Sequence, residues 1–174
     1  MLESIMQVAS ELEPARKRLV VGPRDAALRK ARTCYDHLAG RLGVTITQAL
    51  LDAQALARDD GHGDLTRTGA DRLSAPVAVH PYRLGPRAAE VFAGLGLDGA
   101  VLAPRPASDR PLLRFCVDWS EQRHHLAGAL GAALLDRMRS AGWVRSLPPG
   151  RAVRLTPAGE RALRERLGVV PPDR

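Results

Sequence analysis

Over residues 127–142 the apolar positions Ala127, Leu130, Leu134 and Met138 recur at three- and four-residue spacing, which predicts a helix that Gly142 ends. Two short alternating runs follow, W-V-R-S-L at 143–147 and A-V-R-L at 152–155, parted by Pro148-Pro149-Gly150-Arg151. That pattern predicts a hairpin with a turn-forming tip. Thr156 is then placed to cap a last helix, with Pro157 in its first turn and Ala162, Leu163 and Leu167 facing inward.

Helix, hairpin, helix is the order of a winged helix, and the phrase that opens it occurs twice. His37-Leu38-Ala39-Gly40-Arg41-Leu42-Gly43 matches His125-Leu126-Ala127-Gly128-Ala129-Leu130-Gly131 at all but one position. The flanks repeat too: Cys34-Tyr35-Asp36 and Cys116-Val117-Asp118 lie upstream, and Y-R-L-G-P at 82–86 corresponds to V-R-L-T-P at 153–157. A repeat of this length implies two copies of one supersecondary unit, each covering the other's apolar face. The second copy carries six additional residues, 119–124, between its Cys and its final His.

From the start of the chain, Leu2, Ile5, Met6, Ala9 and Leu12 form an apolar stripe on a first helix that Pro14 ends; such a short helix needs a partner, here the chain itself or a second subunit. Asp25 is an N-cap for a helix through Leu28, Ala31, Tyr35, Leu38 and Leu42, ended by Gly43. Thr45 and Gln48 form a capping box for the next helix, so the string L-A-G-R-L-G-V-T-I-T-Q-A-L-L reads as helix, turn, helix. Residues 65–67 and 77–79 suit the strands of a first wing, 86–97 its closing helix, and 98–111 a Gly/Ala/Pro connector. The expected fold is mainly α with short β-hairpin wings: an amphipathic helix and connector at 1–23, winged-helix-like repeats at 24–98 and 112–170 related by pseudo-twofold symmetry, and a linker at 99–111.

Composition narrows the function classes. The net charge of +7 is carried almost wholly by arginine, Lys17 and Lys30 being the only lysines, and favours a polyanionic partner such as double-stranded DNA, although a solvated arginine surface gives the same sum. Arg137, Arg139, Arg145, Arg151 and Arg154 lie on the second repeat's helix and wing, where they could meet phosphates without reading sequence. The helix following the first turn offers Gln48, Asp52, Gln54 and Arg58 with Asp59 and Asp60 behind, a poor set for deep insertion between phosphates. No apolar run spans a bilayer and no secretion signal precedes it, which points to the cytoplasm, with the two cysteines as free thiols or ligands.

Catalytic motifs are missing: there is no G-x-S-x-G, phosphate-binding glycine loop, H-E-x-x-H or C-x-x-C. Asp36 and Asp118 suit capping or ion pairs with Arg32 or Arg114 better than acid–base work, and the chain does not read as an enzyme. On one helix face Cys34 and His37 could grip one ion, and Cys116 with His124 or His125 could complete a Cys-His-Cys-His shell for zinc or another thiophilic metal. A buried structural role is the reading that residue type alone favours, because free Cys packs readily in cores and the six extra residues break the match between copies.

The strings R-T-C-Y-D-H-L-A-G-R-L-G-V, C-V-D-W-S-E-Q-R-H-H-L-A-G-A-L-G and R-A-V-R-L-T-P-A-G resemble the C-terminal portion of bacterial transcriptional regulators of the ArsR type. The resemblance covers the chain from about Arg24 onward. It implies a regulator whose separate DNA-reading winged-helix domain precedes a helix like the one over Leu2–Leu12, so this chain is expected to be the effector and dimerisation part, a homodimer with weak DNA binding of its own. A metal- or thiol-sensing module and an adaptor that binds no DNA are the alternatives.

Overall fold

The structure is a computed structural model that describes residues 22–103 and 110–169. The stripe over Leu2, Ile5, Met6, Ala9 and Leu12, expected to mediate dimerisation, lies outside the described residues. Helix α1 (Pro23–Lys30) leads into strands β1 (Arg32–Cys34) and β2 (His37–Ala39), helix α2 (Gly40–Asp52), strands β3 (Leu56–Arg58) and β4 (Tyr82–Leu84), helix α3 (Ala88–Gly94) and a 3-10 turn at Gly99–Leu102. The same order then runs again: β5 (Arg114–Val117), β6 (His124–Ala127), α4 (Gly128–Ser140), β7 (Val144–Ser146), β8 (Val153–Leu155) and α5 (Pro157–Leu167). Each successive strand pair is an antiparallel hairpin. The described fold is therefore a mixture of helices and short hairpins, winged-helix-like in that each long helix is followed by a hairpin and a closing helix.

The expected helix over 25–43 is a strand hairpin in its second half. Arg32 pairs with Ala39, Thr33 with Leu38 and Cys34 with His37, and Tyr35, at φ 61°, makes the turn. In the second copy Arg114, Phe115, Cys116 and Val117 face Ala127, Leu126, His125 and His124. The apolar residues of this stretch fit either period, and burial on both faces of a strand hides the alternation that would have identified it. Hence the L-A-G-x-L-G phrase is not a helix followed by a turn. Leu and Ala end a strand, and the first glycine (Gly40, Gly128) turns it into a helix at φ +75°, where a Cβ would meet backbone carbonyls of Arg29 or Leu112 at 2.8 and 2.7 Å. The second glycine (Gly43, Gly131) sits inside the helix, against the carbonyl of Leu38 or Leu126. The predicted turn at Gly43 and capping box at Thr45 are thus replaced by one continuous helix α2.

The first wing is also displaced. Its strands are β3 and β4, with Leu56 opposite Leu84, rather than 65–67 and 77–79. The intervening loop crosses to the other half: Val77 N–H donates to the Phe115 carbonyl, Val117 N–H to that of Ala75, and His124 N–H to that of Leu65. On the opposite side Ala152 lies beside Arg32, with Thr33 N–H donating to the Arg151 carbonyl and Val153 N–H to that of Ala31. Each copy's first hairpin is therefore edged by the other copy's wing region, and the helices exchange likewise, α2 packing on β6 and α4 on β2. Phe92, Phe115, Ile46, Leu50, Leu130, Leu135, Met138 and Leu163 fill the shared core. The second wing and its closing helix match expectation, with Thr156 Oγ1 accepting from Gly159 N–H and Pro157 in the first turn.

A Cβ on Gly43 would lie 2.6 Å from the Leu38 carbonyl oxygen. Gly43→Ala should therefore lower stability by about 1 kcal/mol or more in urea unfolding, because the clash exceeds the ~1 kcal/mol helix-propensity gain. A more stable variant would mean that α2 does not pack on β2 this closely.

Candidate metal centre where two hairpins meet

Cross-strand pairing puts Cys34 beside His37 and Cys116 beside His125, and the approach of β2 to β6 brings the two pairs together. The ligand atoms of all four residues lie within 4.8 Å of one another. His37 and His125 stack with ring centroids 5.2 Å apart and planes 30° apart. Both imidazoles and Cys116 are buried and Cys34 is half-buried, next to the exposed Tyr35 turn. The grouping expected from sequence is present, but its basis differs. Cys34 and His37 are neighbours across a hairpin and not one turn apart on a helix, and the six additional residues of the second copy lengthen the β5–β6 loop and add His124 to β6 without shifting the Cys–His register.

Strand alternation decides between the adjacent histidines. His125 faces the cluster, whereas His124 points the other way, 2.8 Å from the Tyr82 hydroxyl and 3.0 Å from Asp71 Oδ2. Burial lowers the His124 pKa against the opposing pull of the Asp71 carboxylate, and the ring bridges Tyr82 and Asp71. Nothing in the sequence pattern marked Asp71 or Tyr82 for this contact.

Polar groups inside the cluster are short of partners. His37 Nε2 and both nitrogens of His125 are buried with no hydrogen-bond partner, an arrangement that costs free energy unless something else is bound there. The proximity of Cys116, His125 and His37 holds the Cys34 thiol below the ordinary range, while the neighbouring Cys34 and burial push the Cys116 thiol up. Burial lowers His125. Two sulfurs and two imidazoles thus share one small, largely buried space, the donor types that suit a thiophilic metal.

The aspartates repeated after the cysteines anchor the surroundings. Asp36 Oδ1 is 3.4 Å from His37 Nδ1, and the carboxylate is held by Arg110, which also donates to the Gly128 carbonyl. Asp118 is fully buried. It accepts from the Arg32 guanidinium at 2.8 Å, from Gly40 N–H at 2.6 Å, and from Ser120 and Glu121, and Oδ2 is 3.9 Å from His125 Nδ1. Burial alone would raise its pKa, but the Ser120 and Gly40 donors and the Arg32 charge outweigh it and bring the carboxyl to about 2. The ion-pair role expected for these aspartates is what the geometry contains, with Arg110 in place of Arg114. Trp119 lies under the Arg29 and Arg32 guanidinium groups.

The five arginines considered for phosphate contact differ in exposure and in partners. Arg145 and Arg154 are cross-strand partners on the second wing and both exposed, Arg151 lies exposed near the hairpin tip, and Arg139 sits 3.9 Å from Asp136. Arg137 instead lies over the Trp143 ring and is half-buried. Arg145 and Arg154 line one wall of an open groove of about 800 Å³, bounded by Ala27, Lys30, Leu42 and Glu160.

Two comparisons found no match: no family model fits the chain, and no solved structure resembles it. Among curated proteins it is 33% identical, over 168 residues, to an uncharacterized HTH-type transcriptional regulator, YdfF, of Bacillus subtilis (strain 168). The match takes in 97% of this chain and 64% of the relative, so the chain spans less than two thirds of that protein.

Asp118→Ala should destabilise the fold by about 3–5 kcal/mol in urea unfolding, because it strands a buried guanidinium. Adding Arg32→Met should cost less than the sum of the two single losses. Additive losses would show that the two side chains do not depend on one another.

Proposed function

We propose that this chain is the effector and dimerisation part of a transcription regulator of the ArsR type, acting in the cytoplasm, with sequence reading carried by a part of the regulator outside the region of similarity. The observation that carries this reading is similarity along 97% of the chain to a protein named as an HTH-type transcriptional regulator, which is itself longer than the matched region. The burial of the long helices supports it. α2 buries Leu42, Val44, Ile46, Ala49 and Leu50, with the Thr47 hydroxyl accepting from Leu126 N–H at 2.9 Å, and its open side carries Arg41, Thr45, Gln48 and Asp52, a set with one arginine and an aspartate that is poor for entering a major groove. α4 likewise buries Leu130, Leu134, Leu135 and Met138. What remains for DNA is the exposed wing with Arg145, Arg151 and Arg154, whose guanidinium groups suit phosphate oxygens. Among the described residues no helix is long and apolar enough to cross a membrane. Dimerisation is assigned to the stripe at Leu2–Leu12.

The chain alone should bind duplex DNA weakly and without sequence preference, and lose most binding between about 50 and 200 mM salt. Arg145→Ala with Arg154→Ala should flatten the salt dependence by about two phosphate contacts, read as the slope of log affinity against log salt by fluorescence anisotropy. Sequence-selective binding that persists at 200 mM salt, on the scale of ~10⁻⁸ M or tighter, would contradict the reading, since it would require a recognition surface within this chain.

A further inference from the structure

Three features of the Cys34, His37, Cys116 and His125 cluster bear on what it could hold. The donor set is two sulfurs and two imidazoles with no carboxylate, a combination suited to zinc and poorly suited to calcium or magnesium. Three of the ring nitrogens are buried without a hydrogen-bond partner. The separations are also near those of a coordination shell. Tetrahedral zinc, with Zn–S near 2.3 Å and Zn–N near 2.0–2.1 Å, sets its donors about 3.3–3.8 Å apart, against the 4.8 Å within which these atoms already lie. Small rotations of side chains around a fixed backbone close that difference.

From this geometry we propose that Cys34, His37, Cys116 and His125 bind one Zn(II) ion in a closed tetrahedral site that joins the two halves of the chain. The inference goes beyond the regulatory reading and does not depend on it, since metal uptake belongs to this chain whether or not DNA is its partner. His37 binds through Nε2, because Asp36 lies at its Nδ1; the same orientation of His125 turns Nδ1 toward Asp118. Each ring then sits between metal and carboxylate, the outer-shell arrangement that fixes metal-bound histidines. Each cysteine binds as thiolate, and the proton it carried passes to solvent as the Zn–S bond forms. No coordination position is left for substrate, so the site stabilises and signals and does not catalyse. Neither hairpin can supply more than two ligands, and occupancy therefore depends on the two hairpins staying together.

The test uses the untagged full chain, reduced and freed of metal, titrated with Zn(II) against a chromophoric chelator and separately with Co(II). The expected result is one ion per chain, a tetrahedral Co(II) spectrum with thiolate charge transfer, and a rise in unfolding temperature with added Zn(II). Cys34→Ser and His37→Gln should abolish stoichiometric binding, as should Cys116→Ala, a substitution that an apolar core accepts if serine does not fold there. Asp36→Asn should weaken binding by about 10-fold or more while leaving the stoichiometry unchanged. His62→Ala, at an exposed histidine outside the cluster, should change nothing. Binding that survives both cysteine substitutions overturns the proposal. So does tight Cu(I) uptake without Zn(II) binding, or oxidation of the two thiols to a disulfide in a chain that takes up no metal.

Discussion

One buried carboxylate holds the two halves in register. Asp118 belongs to the second hairpin, yet its Oδ2 accepts from Arg32 and from the Gly40 amide of the first, and its Oδ1 organises the β5–β6 loop through Ser120 and Glu121. Removing such a pair from water is expensive, and it persists only because each hydrogen-bonding position is met by a partner. The geometry that results is specific. Gly40 donates its amide to Asp118 at the point where β2 ends and α2 begins, and its positive φ makes that turn.

Once β2 and α2 are fixed, the rest of the packing follows. α2 lies on β6 and α4 on β2, so that the apolar face of each helix is covered by the partner copy. Leu50, Leu130 and Leu135 are fully buried in this shared core, and each such side chain contributes roughly 1.5–3 kcal/mol by leaving water. The same exchange brings the cysteines and histidines of the two hairpins into one cluster. Their proximity is a consequence of how the two copies share a core, and a ligand held there would act on the contact that makes the fold whole.

Much of this was legible in the residues, though not always for the reason the residues suggested. The doubled L-A-G-x-L-G phrase marks the strand-to-helix junction in each half, and the second wing was readable because Pro148-Pro149-Gly150 and Thr156-Pro157 are local signals that need no tertiary context. The first hairpin was hidden because residues 31–34 and 37–40 are covered on both faces, so the period-2 alternation of a half-buried strand never develops. Glycine at positive φ and glycine inside a helix read alike in one dimension, which is why Gly40 and Gly43 exchanged roles. Repetition put Cys34, His37, Cys116 and His125 in one group, and their ligand atoms lie within 4.8 Å of one another, whereas the Arg32–Asp118 pair spans 86 residues, so residue type could name Arg32 beside Arg114 as a partner without choosing which aspartate each would meet. The loop at 59–81 carried no pattern that could place Asp71 beside His124.

The meeting of the two hairpins is open to one direct observation. With ring centroids 5.2 Å apart, the ring protons of His37 and His125 should give a nuclear Overhauser effect in the metal-free, reduced chain, assigned by loss of one partner's signals in His37→Gln. A clear cross-peak between the two rings is the predicted result. Cross-peaks within each hairpin, from Cys34 to His37 and from Cys116 to His125, with none between the two rings would contradict the account, because the hairpins would then fold without meeting.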